Sequence, residues 1–535
     1  MGNINELNRM IPTVMGATIR RFYVDATGGN DSALGRSPDS AWQTIAKVNA
    51  TSFGVRDHIL FKRGETWSGT QLAIAWNRIT IDAYGSGTRP KIQPAVASDS
   101  AVNITGNYVT IKNIHALTQA HQTQLTRSFF VLGHDIVIDS CVAEGDKTLG
   151  TPFNNALGFE VYGAGSIYYN IIIKNCEAYN FYRNGGCGIH IGAGSGVGPT
   201  NITLDNNIIY DVGPGTYTFN HFGIYLLRAD QVTCQNNLVY NTDSDGIQIE
   251  YATNSMIERN TVHDAGLRGI GIFYTTVGDN TFVQNNLIYS CRDSGIRIEN
   301  SAEAHIYHNT LINNATTVAN RYSLMLMTGI TGSIVKNNLI LQDRSVIDVT
   351  RCACLYAENQ TVIDNSTIDN NCCLALNKTP LDRAYNLAGT NASLATWQAA
   401  GADPNGISTD PIFVSSIHTT VNANSNAAQK VLNVASTTGF NVGETVSINP
   451  LGARMEYGVI DTIQVGISLT LLVNLTYTHT AAQADSVLSC VWTDLHLQST
   501  SPCIGVGDAT VGVVDDMDGI IRGAAVDIGA YEYVA

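Results

Sequence analysis

Charge is scarce in this chain: Asp, Glu, Lys and Arg make up 14% of its 535 residues, and no lysine- or arginine-rich run occurs. With 45 acidic against 30 basic residues the formal charge is −15, so the cationic surface that neutralises phosphates is missing and nucleic-acid binding is disfavoured. A strongly anionic ligand is expected only where arginines reverse the field locally. No apolar window reaches membrane-spanning length, so no membrane insertion is expected. The opening MGNINELNRMIPTVMGATIRR lacks the basic start and long apolar run of a secretory signal peptide. The expectation is a leader already removed, or exit from the cell without one, for example on lysis. The 11 cysteines are an odd number, and several lie in strand-like segments such as IDSCV (Cys141) and IKNCEA (Cys176), which reads as buried free thiols. Cys490 and Cys503 are the one pair for which a bridge is weighed. What the chain does have is 44% hydrophobic residues and 49 glycines, the composition of an ordered, turn-rich protein with a large buried core.

Self-similarity organises the middle of the sequence. IIIKNCEAY, ITLDNNIIY, VTCQNNLVY, SMIERNTVH, TFVQNNLIY, HIYHNTLIN and SIVKNNLIL align on Asn175, Asn206, Asn236, Arg259, Asn285, His308 and Asn337, at separations of 31, 30, 23, 26, 23 and 29 residues. Earlier members fall at Asn113 and Ser140, and a later one at Asn370. A second series, LGFEV, CGIHI, FGIYL, DGIQI, RGIGI and SGIRI, carries glycines 158, 188, 223, 246, 269 and 295. Each repeat therefore holds at least two short strands of period-two alternation with Gly, Asn and Asp turns, and no helix-period stretch between them. Such a repeat is one coil of a parallel β-helix, stacked on the next at roughly 4.8 Å. An inward Asn at each bend would satisfy buried backbone by bonding along a stack of like residues.

Two further segments carry a resemblance. FYVDATGGNDSALGRSPDSAWQTIAKVNA followed by DHILFKRGETW, and the closing DDMDGIIRGAAVDIGAYEY, resemble the ends of right-handed parallel β-helix proteins that act on polysaccharides, of the phage tailspike and depolymerase type in the pectin-lyase-like superfamily. The expected fold is accordingly all-β: a right-handed parallel β-helix solenoid with an N-terminal helical cap and a small inserted β domain near the C-terminus. Ser40 is the expected N-cap of the capping helix, with Trp42, Ile45, Ala46 and Val48 on its apolar face. In the relatives a segment like DPIFV is soon followed by one like DLHLQSTSPCIG, whereas here about eighty residues separate them. The organisation read from this is an N-terminal segment (1–20), the capped solenoid (21–416), an insert (417–490) resembling a small β module of phage structural proteins, and a return segment packing on the solenoid (491–535). The resemblance further implies a homotrimer and an extracellular or virion-associated location on a phage tail.

Alternation in G-I-x-I points the isoleucines inward and the intervening residues outward. One outward column then runs Glu160, His190, Tyr225, Gln248, Gly271, Arg297, Met325, and a second runs Tyr162, Gly192, Leu227, Glu250, Phe273, Glu299, Met327. The turn before each strand adds Arg183, His221, Asp243, Asp245, Arg268, Arg292 and Asp293. Aromatic faces stack on sugar rings while carboxylates and guanidinium groups bond hydroxyls, so Arg268, Arg297, Gln248, Tyr225, Phe273, His190, His221 and Glu160 are expected to bind a polysaccharide. Glycosidic hydrolysis needs two carboxyl groups, and Glu250 and Glu299 share a column two coils apart, roughly 9.6 Å at the backbone, near the separation of inverting enzymes. Asp243, Asp245 and Asp293 are alternative partners. Three other readings stand beside hydrolysis of a bacterial surface glycan: elimination or C5-epimerisation of a uronate polymer, with Arg268, Arg297, Tyr225, His190 and His221 as agents; a non-catalytic glycan-binding β-helix; and carboxylates that merely pair with Arg268 and Arg297. The acidic wall would repel a polyuronate, which ranks hydrolysis first.

Other motifs carry less. GAGSGVG at 192–198 lacks the lysine and following helix of a phosphate loop and reads as a surface loop. His305 and His308, three apart in a strand, face opposite sides. DDMDG at 515–519 lacks the full spacing of a calcium loop, so no cofactor is expected and calcium enters only as a structural ion.

Overall fold

The structure, a computed structural model, describes residues 19–534 apart from 96–99, 119–124, 148–154, 164–167, 183–184, 197, 215–219, 316–320, 343–352, 376–383, 416–417, 449–455, 484 and 490–493. Arg183, Cys490 and most of the 1–20 segment thus lie outside the described residues. Three long sheets run along the molecule. The first has thirteen strands, Arg21–Val24 to Ser366–Asp369; the second has twelve, Thr66–Ser68 to Cys372–Ala375; the third has thirteen, Leu72–Ile74 to Thr390–Ala392. The chain visits them in rotation, and the strands pair in parallel with the strand one coil later, as Ile136–Asp139 does with Tyr169–Lys174, except that Tyr385–Leu387 and Thr390–Ala392 close the third sheet as an antiparallel pair. Like residues therefore stack: Ile138, Ile173, Leu204, Cys234, Ile257, Val283, Ile306, Val335 and Ile368 form one inner column of the first sheet. All are buried in a single core, each full burial contributing about 1.5–3 kcal/mol.

The bend between the first and second sheets explains the Asn repeat. Every aligned position from Asn113 to Asn370 is left-handed, at φ between 51° and 59°, a conformation whose cost Asn tolerates better than most residues. The inward residue is the next one along. Asn207, Asn237, Asn260, Asn286, Asn309, Asn338 and Asn371 are buried, and the backbone N–H and Nδ2 of each of the first six donate to Oδ1 of the next at 2.9–3.0 Å. Cys176, which fills the same position upstream, donates its N–H to Asn207 at 3.0 Å. Asp403 ends the ladder, accepting from Asn371 N–H at 3.0 Å and Nδ2 at 3.4 Å.

The capping helix is Ile45–Asn49, and its N-cap is Thr44, whose hydroxyl accepts from Lys47 N–H at 3.1 Å. Ser40, expected in that role, instead closes a short turn, Pro38–Ser40. The reason is that Trp42 bridges the first strand, giving its N–H to Tyr23 and taking that of Asp25, both at 2.8 Å, which holds 41–43 extended. Near the other end Phe413–Ser415 pairs antiparallel with Asp494–Leu497. Between them a six-stranded antiparallel sheet, spanning His418–Thr420 to Ser486–Ser489, encloses a core of its own around Leu432, Val446, Ile460, Leu469 and Val487. The final residues strap the solenoid's bends: Asp508 accepts from Lys336 at 2.7 Å, and Arg522 donates to Asn285, Gly529 and Glu532 at 2.9 Å. The nine described cysteines are buried and free; Cys503, weighed above as a bridge partner, lies in a core cluster with Cys372 instead. In DDMDG, Asp516 braces a turn, accepting the N–H groups of Asp518, Ile520 and Glu532 at 2.8–2.9 Å.

Candidate functional site: a groove along the third sheet

Both outward columns form in the expected register. Glu160 pairs with His190, His190 with Tyr225, Tyr225 with Gln248, Gln248 with Gly271, and Gly271 with Arg297. In the second column Glu250 pairs with Phe273 and Phe273 with Glu299, so the two glutamates are two rungs apart with a phenyl ring between them.

Above this wall lies a cleft of about 600 Å³, lined among others by Arg127, Glu160, His190, Tyr225, Gln248 and Glu250. The Glu160 carboxylate pairs with Arg127 on one oxygen and with His190 Nδ1, at 3.1 Å, on the other. Burial pushes this carboxyl up, but the His190 bond and the neighbouring charges outweigh it and hold it below the usual range. His190 Nε2, on the far side of the ring from Glu160, is buried and has no partner among the described residues. Tyr225 stacks on the imidazole at 5.3 Å and donates its hydroxyl to Glu250 Oε2 at 2.6 Å. Burial and that carboxylate push the phenol far above its ordinary value, so it stays a proton donor. Gln248 Nε2 reaches the same Glu250 oxygen at 3.0 Å, leaving Oε1 without a donor among the described residues.

A second cleft, of about 240 Å³, shares Gln248 and Glu250 with the first and adds Arg268, Phe273 and Tyr274. A third, of about 450 Å³, shares Tyr274 and adds Arg228 and Tyr251. The three adjoin end to end as an elongated groove, with Glu250 at the first junction and Tyr274 at the second.

Several expected site residues sit deeper than an exposed wall requires. Asp245 is fully buried and accepts from Arg268 Nε at 2.7 Å, while its Oδ2 has no partner among the described residues and lies over the space left by Gly271. Burial is the largest influence on this carboxyl and raises it above its ordinary value despite Arg268. Asp243, Asp293 and His221 are buried too, because the turn before each strand folds under the wall rather than standing in solvent. Phe273 is 8% exposed, covered by the Arg268 guanidinium at 4.7 Å. Arg297 pairs with Glu299 at 2.7 Å, and Asp293 with Arg321. The structure thus brings Glu160, His190, Tyr225, Gln248 and Glu250 into one cleft and Arg268 and Phe273 into the next, while Arg297 and Glu299 line none of the three.

Two groups in the groove were not read from the sequence. Arg127 precedes the G-I-x-I series; aligning TRSFFV under LGFEV, as Phe129 pairs with Phe159, would have placed it. Arg228, Tyr251 and Tyr274 each stand five residues after a repeat glycine (Gly223, Gly246 and Gly269), a spacing visible in FGIYLLR, DGIQIEY and RGIGIFY. Among the described residues no group of three or more His, Cys, Asp or Glu could hold a metal ion.

A family model described as "Right handed beta helix region" matches residues 152–311, the stretch that carries most of the groove. The chain is a right-handed parallel β-helix protein. Among solved structures it is similar to pectate lyase Pel9A, at 14% identity and a TM-score of 0.46 over 97% of this chain and 98% of that one. It is also similar to the GH136 lacto-N-biosidase of Eubacterium ramulus, at 14% and 0.44 over 70% and 67%, and to the Dettilon tailspike protein, at 12% and 0.41 over 83% and 88%. Likenesses this remote carry no argument about the reaction. No curated protein matches the sequence.

Proposed function

We propose that the protein is a polysaccharide-degrading enzyme that hydrolyses glycosidic bonds of a bacterial surface glycan lying along the groove. The observation that carries this reading is Glu250. It stands at the junction of two clefts with one carboxylate oxygen held by Tyr225 and Gln248 and the other without a donor among the described residues, the posture of a base or nucleophile. The second carboxyl of the proposal is Glu299, two rungs on, which lies beyond the three clefts and is paired with Arg297, and Phe273 with Arg268 forms the platform between the two glutamates. The particular setting we favour is a phage tail protein acting outside the cell as a homotrimer, which light scattering of the purified protein tests directly.

A second reading rests on His190. An imidazole oriented by Glu160, its buried Nε2 without a partner among the described residues and a protonated phenol stacked against it, is a base and acid pair suited to β-elimination or epimerisation of a uronate. One experiment separates the readings. The protein is incubated with capsular and lipopolysaccharide glycans while reducing ends and ultraviolet absorbance are followed together. New reducing ends without absorbance support hydrolysis. Absorbance from an unsaturated uronate overturns it in favour of His190, and binding without either signal across the set leaves a glycan-binding β-helix.

A further inference from the structure

Left-handed residues recur at four bends along the solenoid, and at two of them, those ending the first and second sheets, small polar side chains dominate. The bend ending the second sheet has Asn180, Asp211, Asn241, Asp264, Ser290 and Asn313; the bend entering the first has Arg56, Arg78, Tyr108 and Asp135 toward the N-terminal end, with the Arg78 guanidinium over the Tyr108 ring at 4.4 Å, and then Asn170, Asn201, Gln231, Asn254, Asn280 and Glu303. The bend ending the third sheet places such bulky residues in the groove. In three successive coils it holds Arg228, Tyr251 and Tyr274, at φ 55°, 52° and 58°, and returns to Asn only at Asn300. A bulky side chain pays more than Asn for this conformation, so the turn alone does not account for these residues. Nor does the core: Tyr251 and Tyr274 are 39% and 42% exposed. They stack on each other at 5.0 Å, and the Arg228 guanidinium lies over the Tyr251 ring at 4.5 Å. Together they line the third cleft.

Charge accounting separates Arg228 from the other arginines of this face. Arg127 is paired with Glu160, Arg268 with Asp245, Arg297 with Glu299 and Arg321 with Asp293. The Arg228 side chain has no ion pair and donates no hydrogen bond among the described residues; its backbone N–H donates to Glu250 O at 2.9 Å, and its guanidinium lies against the Tyr251 ring. The two acids of the third cleft are already committed. Asp230 accepts from Thr253 at 2.5 Å, Asn254 at 2.8 Å and Thr200 at 3.3 Å, and Asp279 from the backbone and hydroxyl of Thr276. Their charge confines any anion to the Arg228 end.

We infer that the third cleft is a subsite for an acidic sugar of the glycan: its carboxylate takes the free guanidinium fork of Arg228, and its neighbours in the chain rest on the exposed Tyr251 and Tyr274. A guanidinium held flat on an aromatic ring keeps its donor edge open, which suits a planar carboxylate. The assignment rests on the groove binding a polysaccharide, and it adds that the repeating unit bears a carboxylate away from the bond that is cut. A net-acidic protein thereby holds an acidic glycan at one cationic point while the remaining wall meets hydroxyls.

The test uses acidic capsular oligosaccharides and the same oligosaccharides after carbodiimide-activated borohydride reduction of their carboxyls to alcohols. Binding is measured by calorimetry for the wild-type protein, Arg228→Gln and Arg228→Lys, with thermal melting to confirm folding. The expected result is that Arg228→Gln loses roughly tenfold to a hundredfold in affinity for the acidic form and far less for the reduced form, with Arg228→Lys recovering part of the loss. Equal wild-type affinity for both forms, or an equal loss on both, overturns the subsite and leaves the groove reading standing. An acidic glycan bound as well by Arg228→Gln does the same. If the wild-type protein binds neither form of any oligosaccharide, the subsite and the glycan groove fall together.

Discussion

Replacing Asp403 by Asn should make the protein more stable above neutral pH and flatten its pH dependence. Asp403 closes the Asn ladder from a fully buried position; Oδ1 accepts both donors of Asn371, and Oδ2 has no partner among the described residues. Burial is the largest influence on its carboxyl, which is pushed up to about 7 from an ordinary value of 3.8, the Asn371 donors offsetting only part. The sign follows from linkage. A folded-state pKa raised above the unfolded one gives stability that is fully present below the unfolded value and is lost as pH rises through the folded value. A shift of this size is worth ~4 kcal/mol once the group is ionised, and about 2.6 kcal/mol of it is lost between pH 5 and 8. Asn keeps the shape and the acceptor, and its amide continues the pattern by which Asn371 Nδ2 reaches Val335 O at 3.0 Å, since Val335 is paired with Ile368 in the coil that follows. Thermal melts of both proteins at pH 5 and pH 8, with hydrogen exchange at the Asn371 amide as a local readout, check this. The wild-type protein should lose ground to Asp403→Asn as pH rises. Parallel pH profiles for the two proteins would refute the argument, because every other titrating group is common to both.

The remaining predictions are of three kinds. Glu250→Gln and Glu299→Gln should each lower reducing-end release by at least about a hundredfold with unchanged melting, and full activity in both would remove the pair from the mechanism. Asn286→Ala removes an acceptor of two buried donors and itself donates to Ile257 and Asn309, so it should cost about 3 kcal/mol or more, while Asn206→Ala on the outer bend should cost about 1 kcal/mol; thermal midpoints in the reverse order would contradict the ladder. Arg522→Ala strands buried Glu532, a loss of about 3–5 kcal/mol that should speed proteolytic cutting within 503–533, and an unchanged digestion pattern would sink the strap.

The architecture was legible because a stacked solenoid repeats its physics in its sequence. G-I-x-I announces an inner column, and both outward columns follow by alternation without error of register. The Asn repeat marked the bends, although the alignment fell on the left-handed residue and the ladder is its neighbour, because a pair such as Asn236 and Asn237 gives two chemically equal candidates for opposite directions. Depth was not legible. Whether Asp245 stands in solvent or folds under the wall depends on Gly271, one coil later in space and twenty-six residues later in the chain, which leaves room above it. Ser40 failed as a cap for a similar reason: its capping potential is local, whereas the pairing that holds Trp42 extended is made with a strand nearly twenty residues away.

The pairing of charges bears on how the groove would hold its ligand. Arg127, Arg268, Arg297 and Arg321 are spent on carboxylates of the wall itself, so most of the groove presents fixed, internally balanced dipoles. Contacts of that kind bond neutral hydroxyls with little dependence on ionic strength, whereas a half-buried, unpaired guanidinium such as that of Arg228 meeting a carboxylate is screened over about 8 Å at physiological salt. Affinity for a neutral glycan should therefore change little as sodium chloride is raised, and affinity for an acidic one should fall by the part contributed at Arg228. A binding constant that falls steeply with salt for both glycans would mean that the wall's ion pairs open to admit the ligand, and the groove would then be assembled on binding and not built in advance.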